Sequence, residues 1–231
     1  MERFRGHPVR LEQPVVAGRS YDVLAPARGE ALLDDPRVVA RFEQDEYMPY
    51  WAMLWPAAML LADEVAKWPV PEGHDGVEVL EIGCGLGLAT LVATARGYHV
   101  TATDHDEDAL AFVTENARRN GLPPVVTRFL DWNSPAGLPR ADRVIAADVL
   151  YEARNLEPVA DLVRRCLKEG GQAVICDPNR RTADAFEAVA RAQGLSVRTE
   201  SVMREAAPGG VPIHGRLFRL GDARAGVSGE R

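Results

Sequence analysis

Glu81-Ile82-Gly83-Cys84-Gly85-Leu86-Gly87 decides how the rest of the chain is read. An apolar run, Val77 to Leu80, precedes it and has the character of a buried strand, while Leu88 to Ala95 follows it with the character of a helix. Glycine at alternate positions of a strand-to-helix turn lets the backbone approach a ligand closely. It also aims the unpaired N–H groups of the first helical turn at that ligand. Asp104 closes the next apolar run, about twenty residues on, where nucleotide-binding βαβ units place the carboxylate that grips a ribose hydroxyl pair.

Outward from that unit the pattern repeats. Strands are expected at Val77–Ile82, Tyr98–Thr103, Val125–Phe129, Asp142–Ala147 and Gln172–Cys176, and helices at Leu86–Ala95, Glu107–Asn120, Asn155–Leu167 and Ala183–Ala192. Gly97, Gly121, Gly170 and Gly194 each stand just before an apolar run, where a left-handed residue stops a helix. Strand, helix and glycine in repetition mean parallel crossovers with helices on both sheet faces. The alternation breaks at the end. Leu195–Met203 and Ile213–Leu220 are both strand-like, and Arg204–Pro212 between them carries Pro208-Gly209-Gly210 and no helical pattern, so the two are expected as antiparallel neighbours. The expected fold is α/β: a doubly wound, mostly parallel seven-stranded sheet with an antiparallel C-terminal strand.

Residues 1–76 are expected to form an N-terminal cap of the same domain, residues 77–220 the core and residues 221–231 a disordered tail. Within the cap, Val15–Val16 and Tyr21–Leu24 suggest a hairpin around Gly18, and Pro36–Glu46 a short helix. Pro56 opens a second helix, to about Lys67, at the position where its missing N–H is not needed.

At 231 residues, 46% of them hydrophobic and 26% charged, the chain suits one globular domain. A net charge of -7 argues against a nucleic-acid backbone as partner, and the small basic groups at Arg164, Arg165 and Lys168 or at Arg180 and Arg181 read as solvated faces. Cys84, Cys166 and Cys176 are widely spaced without a CxxC pair, which speaks against structural zinc and for reduced thiols in a cytoplasmic protein. Met1–Arg10 has no apolar leader core, and the apolar stretch Met48–Ala62 is too short to span a bilayer, so no membrane partner is expected. Asp104, His105, Asp106 and Asp108 cluster, but they read as a ribose carboxylate followed by the acidic first turn of a helix, and no metal is assigned.

The detail of the glycine turn separates ligands. The dinucleotide pattern wants a small third residue where this chain has bulky Leu88, and its third glycine, Gly87, comes one position early. Glu81 also puts a carboxylate at the strand end, which would repel a pyrophosphate and tolerate a sulfonium. S-adenosyl-L-methionine carries that sulfonium and a ribose.

Glu81-x-Gly83-x-Gly85-x-Gly87 with Asp104 resembles motif I and the acidic ribose position of class I, seven-strand S-adenosylmethionine-dependent methyltransferases, a Rossmann-like fold, over Val77–Leu220. Pro49–Ala58, Leu130-Asp131-Trp132 and Ala146–Glu152 are similar to methyltransferase family 16 and the nicotinamide N-methyltransferase-like group, which includes many protein-lysine methyltransferases. That resemblance implies that Gly83 and Gly85 line the methionine part of the cofactor and Asp104 holds the ribose. Asp131 and Trp132 flank the adenine, Trp55 closes over the cofactor from the N-terminal cap and Ala147 touches its reactive end. It makes Asp148 and Tyr151 the border of the acceptor pocket. An amine acceptor must lose a proton before it can attack, so Asp148 is expected to orient the amine or take its proton through water, and Tyr151 to bond the nucleophile. Residue by residue, other readings stand beside these: Trp51 and Trp55 as core anchors, Trp132 as ordinary packing and Asp148 as a helix N-cap. N-methylation of a protein lysine is the leading function. A small-molecule N- or O-methyltransferase comes next, and an NAD(P)-dependent oxidoreductase or a non-catalytic cofactor-binding module is the alternative of another class.

Overall fold

The computed structural model describes residues 2–29, 32, 38–40, 42, 48–71, 76–133, 135, 137–206 and 210–222. Of the short helix expected over Pro36–Glu46 only residues 38–40 and 42 belong to that set, and these are helical; most of the tail lies outside it.

Seven strands make the main sheet: β6 (Glu78–Ile82), β7 (His99–Asp104), β8 (Val126–Phe129), β9 (Ala141–Ala147), β10 (Leu167–Asp177), β11 (Leu195–Arg204) and β12 (Ile213–Asp222), in the order β11-β12-β10-β9-β6-β7-β8. β8, β7, β6, β9 and β10 are parallel neighbours. β12 runs against both β10 and β11, so the reversed strand is not at the rim: it is inserted between β10 and the edge strand β11. It also continues to Asp222, two residues into what the sequence suggested was tail.

Alternation along each strand feeds two cores. Val79, Ile145, Val174 and Cys176 face one side, against α1 (Pro56–Ala66), α2 (Leu88–Ala95) and α3 (Glu107–Arg119). Leu80, Ile82, Val144, Ala146 and Ile175 face the other, against α4 (Leu156–Cys166) and α5 (Phe186–Ala192). Completely covered side chains such as Leu61, Leu91, Phe112, Phe186 and Phe218 each contribute about 1.5–3 kcal/mol through burial.

Gly170 was expected to stop a helix. Instead α4 passes directly into β10, and Gly170, at φ 73°, sits where the register against β9 shifts between Leu167 and Gln172. It marks a bulge in a strand that begins five residues earlier than its apolar run.

The N-terminal segment is more strand-rich than its sequence suggested. β1 (Arg3–Phe4), β2 (His7–Glu12) and β5 (Val23–Pro26) form a three-stranded sheet, and β3 (Val15–Val16) pairs with β4 (Arg19–Ser20). The residues expected as the second arm of the hairpin around Gly18 instead lead into β5, which pairs back onto β2. Polar groups on α3 fasten this segment. Buried Asn116 accepts the N–H of Leu24 at 2.7 Å and donates to the carbonyls of Leu24 at 3.3 Å and of Leu86, in the glycine turn, at 3.0 Å. One turn on, Asn120 accepts the N–H of Asp22 at 3.0 Å and donates to its carbonyl at 2.8 Å. The pair treats one strand edge as another strand would. Arg5 and His7 both reach Asp108 at 2.8 Å, and Trp51 packs on Phe112 with ring centres 5.2 Å apart.

Candidate functional site

The strand order reverses direction between β6 and β9, and a crevice opens there beyond the carboxyl ends of the strands, as expected of an open α/β sheet. It is a cavity of about 400 Å³ lined by residues that include Trp55, Gly83, Gly85, Asp104, Asp131, Trp132, Ala147, Asp148 and Tyr151. Nine of the ten positions singled out in the sequence therefore share one space. Glu81 does not.

The glycine turn forms because all three glycines adopt left-handed φ: 65° at Gly83, 51° at Gly85 and 80° at Gly87. Close approach adds a second reason at two of them. A Cβ on Gly83 would lie 3.1 Å from Val149 Cγ1 and 3.2 Å from Trp132 Cζ2, and one on Gly87 would lie 2.7 Å from Val113 Cγ2 on α3. Gly87 thus admits the neighbouring helix, which explains its place one residue earlier than the dinucleotide pattern.

Asp104, at the end of β7, ties this turn down. One carboxylate oxygen accepts the N–H of Gly85 at 2.9 Å and the other that of Asp106 at 3.1 Å. Burial pushes its pKa up to about 6, against the pull of those two N–H groups, so it is mostly ionised at neutral pH. Asp131 accepts the N–H of Asn133 at 2.9 Å. Trp132 and Asn155 both line the cavity. The buried Trp132 Nε1 has no partner among the described residues, and the Asn155 amide lies by the Tyr151 hydroxyl.

Glu81 corrects an electrostatic expectation. Only 3% exposed, it lies behind the turn, where the Thr90 hydroxyl donates to its carboxyl. Burial raises its pKa to about 8, so at neutral pH it is chiefly protonated and presents no charge to a ligand. The acidic character of the cavity comes from Asp104, Asp106, Asp131 and Asp148, with Glu152 at the margin.

The opposite wall has a different make-up. Tyr50 lies edge-on to Tyr151, ring centres 5.0 Å apart, and to Trp55 at 6.0 Å, while Trp55 Nε1 donates to the Tyr50 carbonyl at 2.6 Å. Burial, reinforced by the charge of Glu152, pushes the Tyr151 hydroxyl up to about 12, so it keeps its proton. Asp148 caps no helix: α4 starts beyond Asn155, after a short turn at Ala153–Asn155. Its backbone is left-handed at φ 57°, a conformation that costs a non-glycine residue about 1–2 kcal/mol. Its carboxylate, 5% exposed, is gripped by Arg180 through Nε at 2.5 Å and Nη2 at 2.8 Å. Arg180 also lies 5.9 Å from the centre of the Trp55 ring. Sequence reading assigned roles to Asp148 and Tyr151 and none to Tyr50 or Asn155, and it left Asp177-Pro178-Asn179-Arg180 open between a substrate-side loop and a plain turn. The available signal for Arg180 was its place in the Asp177-Pro178-Asn179-Arg180 turn just past β10, on the rim where ligands bind.

A family model described as lysine methyltransferase matches residues 37–189. The chain belongs to the lysine methyltransferase family. Among its relatives, a ribosomal protein L11 methyltransferase of Methylococcus capsulatus is 37% identical over 60% of this chain and 46% of its own length. An electron transfer flavoprotein beta subunit lysine methyltransferase of Danio rerio is 30% identical over 57% of this chain and 51% of its own. This chain thus spans about half the length of the curated relatives it matches. In fold, a TehB-like S-adenosylmethionine-dependent methyltransferase of Corynebacterium glutamicum superposes with a TM-score of 0.55 at 18% identity, covering 85% of this lysine methyltransferase family member and 99% of that chain. The family implies S-adenosylmethionine as cofactor. The cavity fits it by chemistry: a carboxylate placed for ribose hydroxyls, an indole donor with no partner among the described residues, and glycines where side chains would intrude.

Proposed function

We propose that this protein is an S-adenosylmethionine-dependent methyltransferase that N-methylates lysine on a protein acceptor. The observation that carries the reading is the two-sided cavity. The wall of Gly83, Gly85, Asp104, Asp131 and Trp132 faces an aromatic and acidic wall of Tyr50, Trp55, Asp148 and Tyr151, within a chain matched by the lysine methyltransferase model. The named activities of the flavoprotein-subunit and ribosomal-protein relatives support a protein acceptor.

The cofactor would supply an activated methyl group on a sulfonium, already a good leaving group, so the protein has mainly to position and desolvate. Gly83 and Gly85 leave room for its amino-acid portion and Asp104 accepts from the ribose hydroxyls. Asp131 accepts from the adenine amino group while Trp132 supplies a flat apolar wall. Ala147, small and at the end of β9, keeps the reactive end open. Trp55 and Tyr50 close the cavity from the N-terminal side and exclude water. Tyr151, protonated, offers a hydrogen bond to the incoming nitrogen. Asp148 serves as an oriented hydrogen-bond acceptor rather than a base, since both of its oxygens already hold Arg180.

The test is to incubate the protein with methyl-labelled S-adenosylmethionine and desalted cell lysate, then fractionate by size and hydrolyse the macromolecular fraction. Label recovered as methyl-lysine supports the reading. Label confined to the small-molecule filtrate replaces it with a metabolite methyltransferase, and label in neither fraction despite tight cofactor binding replaces it with a binding module.

A further inference from the structure

We infer that Arg180 is a positioning residue that cancels the charge of Asp148, so that an acceptor amine enters the cavity without being held as its ammonium form. The inference rests on the amine reading above. It begins with a conflict: an isolated carboxylate beside a lysine favours the charged ammonium, which has no lone pair, and an opposite charge within about 4–6 Å shifts such an equilibrium by one to three pH units. A carboxylate at the acceptor border would then attract the substrate and quench it.

The structure resolves the conflict in the geometry of the pair. The guanidinium meets both oxygens of Asp148 fork to fork, at 2.5 and 2.8 Å. Arg180 is held in turn. Its N–H donates to Asp177 at 2.8 Å, its carbonyl accepts from Arg216 Nη2 at 2.6 Å, and the preceding Asn179 takes a left-handed φ of 65°. The Asp148 N–H bonds the Cys176 carbonyl at 2.8 Å, so the loops after β9 and β10 are stapled to each other. Of the other charges near the pair, Asp177 and Asp184 both face Arg216 and Glu152 faces Arg154, while Asp104, Asp106 and Asp131 line the same cavity on its cofactor wall. Among the described residues, Trp55 and the Tyr50 hydroxyl approach from the N-terminal side, and the protonated Tyr151 from the segment before α4. Asp148 thus keeps lone pairs to orient an N–H while contributing little net negative charge.

The experiment is the pH dependence of kcat, which reports groups in the bound complex, measured with labelled S-adenosylmethionine and lysate protein as acceptor. In Arg180→Gln the rising limb is expected to move to higher pH by about one unit or more, with kcat near neutral pH down roughly tenfold and KM unchanged or lower. Arg180→Lys keeps the limb near the wild-type position. Asp148→Asn moves it to lower pH, and Asp148→Asn with Arg180→Gln returns it towards wild type. A merely structural Arg180 would scale kcat down at every pH and leave the limb in place, which overturns the inference, as does a double variant whose limb stays with that of Arg180→Gln. If Arg180→Gln does not fold, the Asp148→Asn shift decides alone. If the wild type makes no methyl-lysine or other methylated amine, the proposed function fails first and this inference with it, an outcome visible before any variant is made.

Discussion

Gly83, Gly85, Asp104 and Trp132 come from one unbroken stretch of chain, the β6–β8 crossovers and the turn that follows. Tyr50, Trp55, Asp148, Tyr151 and Arg180, facing them, are drawn from three segments far apart in sequence. The first wall is made of backbone conformations that only particular residues tolerate, so it is written as a spaced motif. The second is made of side-chain contacts between loops, so single segments such as Ala146–Glu152 carry short motifs but no spacing in the sequence joins one segment to another. A local wall of this kind is rigid and shared across many chemistries, and a composite wall can vary one segment at a time. Cofactor and acceptor recognition are therefore expected to break independently.

The sharpest way to test that separation is Asp104→Ala. It removes the acceptor for Gly85 and the proposed ribose acceptor together. Affinity for S-adenosylhomocysteine by calorimetry is expected to fall about 100-fold, from the loss of hydrogen bonds to a charged group, while the acceptor-side aromatic cluster stays in place. Unchanged affinity would remove Asp104 from the cofactor wall. Next is Gly87→Ala, whose Cβ would stand 2.7 Å from Val113 at a φ of 80°. It is expected to cost about 2–3 kcal/mol of stability in urea unfolding. Gly85→Ala, with nothing nearer than the Trp51 carbonyl oxygen at 3.6 Å, pays only the strain of its φ, about 1 kcal/mol. Equal losses would mean that the crowding on α3 relaxes freely.

Trp132→Phe keeps a flat ring and deletes the unpartnered Nε1 donor. Cofactor affinity is expected to drop only several-fold, about 1 kcal/mol, with no loss of apo stability, because no bond within the protein is broken. A stability loss without an affinity loss would make Trp132 ordinary packing. Glu81→Gln tests a pH dependence rather than a single loss. Because the folded-state pKa of Glu81, about 8, lies above the ordinary glutamate value of 4.5, the folded protein binds a proton that the unfolded chain releases between those values. Stability contributed by this group is therefore present below about pH 4.5 and lost as pH rises through about 8. Glu81→Gln, permanently neutral, is expected to flatten the decline of Tm over that window, and an unchanged slope would assign the decline to other groups.

Much of this arrangement was legible before any coordinates. Strands β6 and β9 announce themselves because both of their faces are largely buried, leaving short apolar runs with little alternation. The glycine turn and Asp104 stand out because left-handed backbone and a strand-end carboxylate restrict residue choice. Other features were misread for identifiable reasons. Gly170 has the same positive φ whether it ends a helix or makes a bulge, so composition does not separate the two. Glu81 is followed closely by glycines, but which side of the pleat it faces is decided by the helix that covers it, through Thr90. The N-terminal strands are short, and their pairing is fixed by Asn116 and Asn120 about a hundred residues on. The loop of Arg180 stayed open between a substrate-side loop and a turn because the partner of Arg180, Asp148, lies 32 positions away.

Asn116 has a consequence that reaches beyond packing. One amide group bridges the backbone of β5 and the carbonyl of Leu86, so the attachment of the N-terminal sheet and the set of the glycine turn share a single side chain. Whatever steadies the turn also steadies that junction. Ligand uptake is therefore expected to be felt at a distance, as slower amide hydrogen exchange at Leu24, whose N–H lies outside the cavity but on the same anchor.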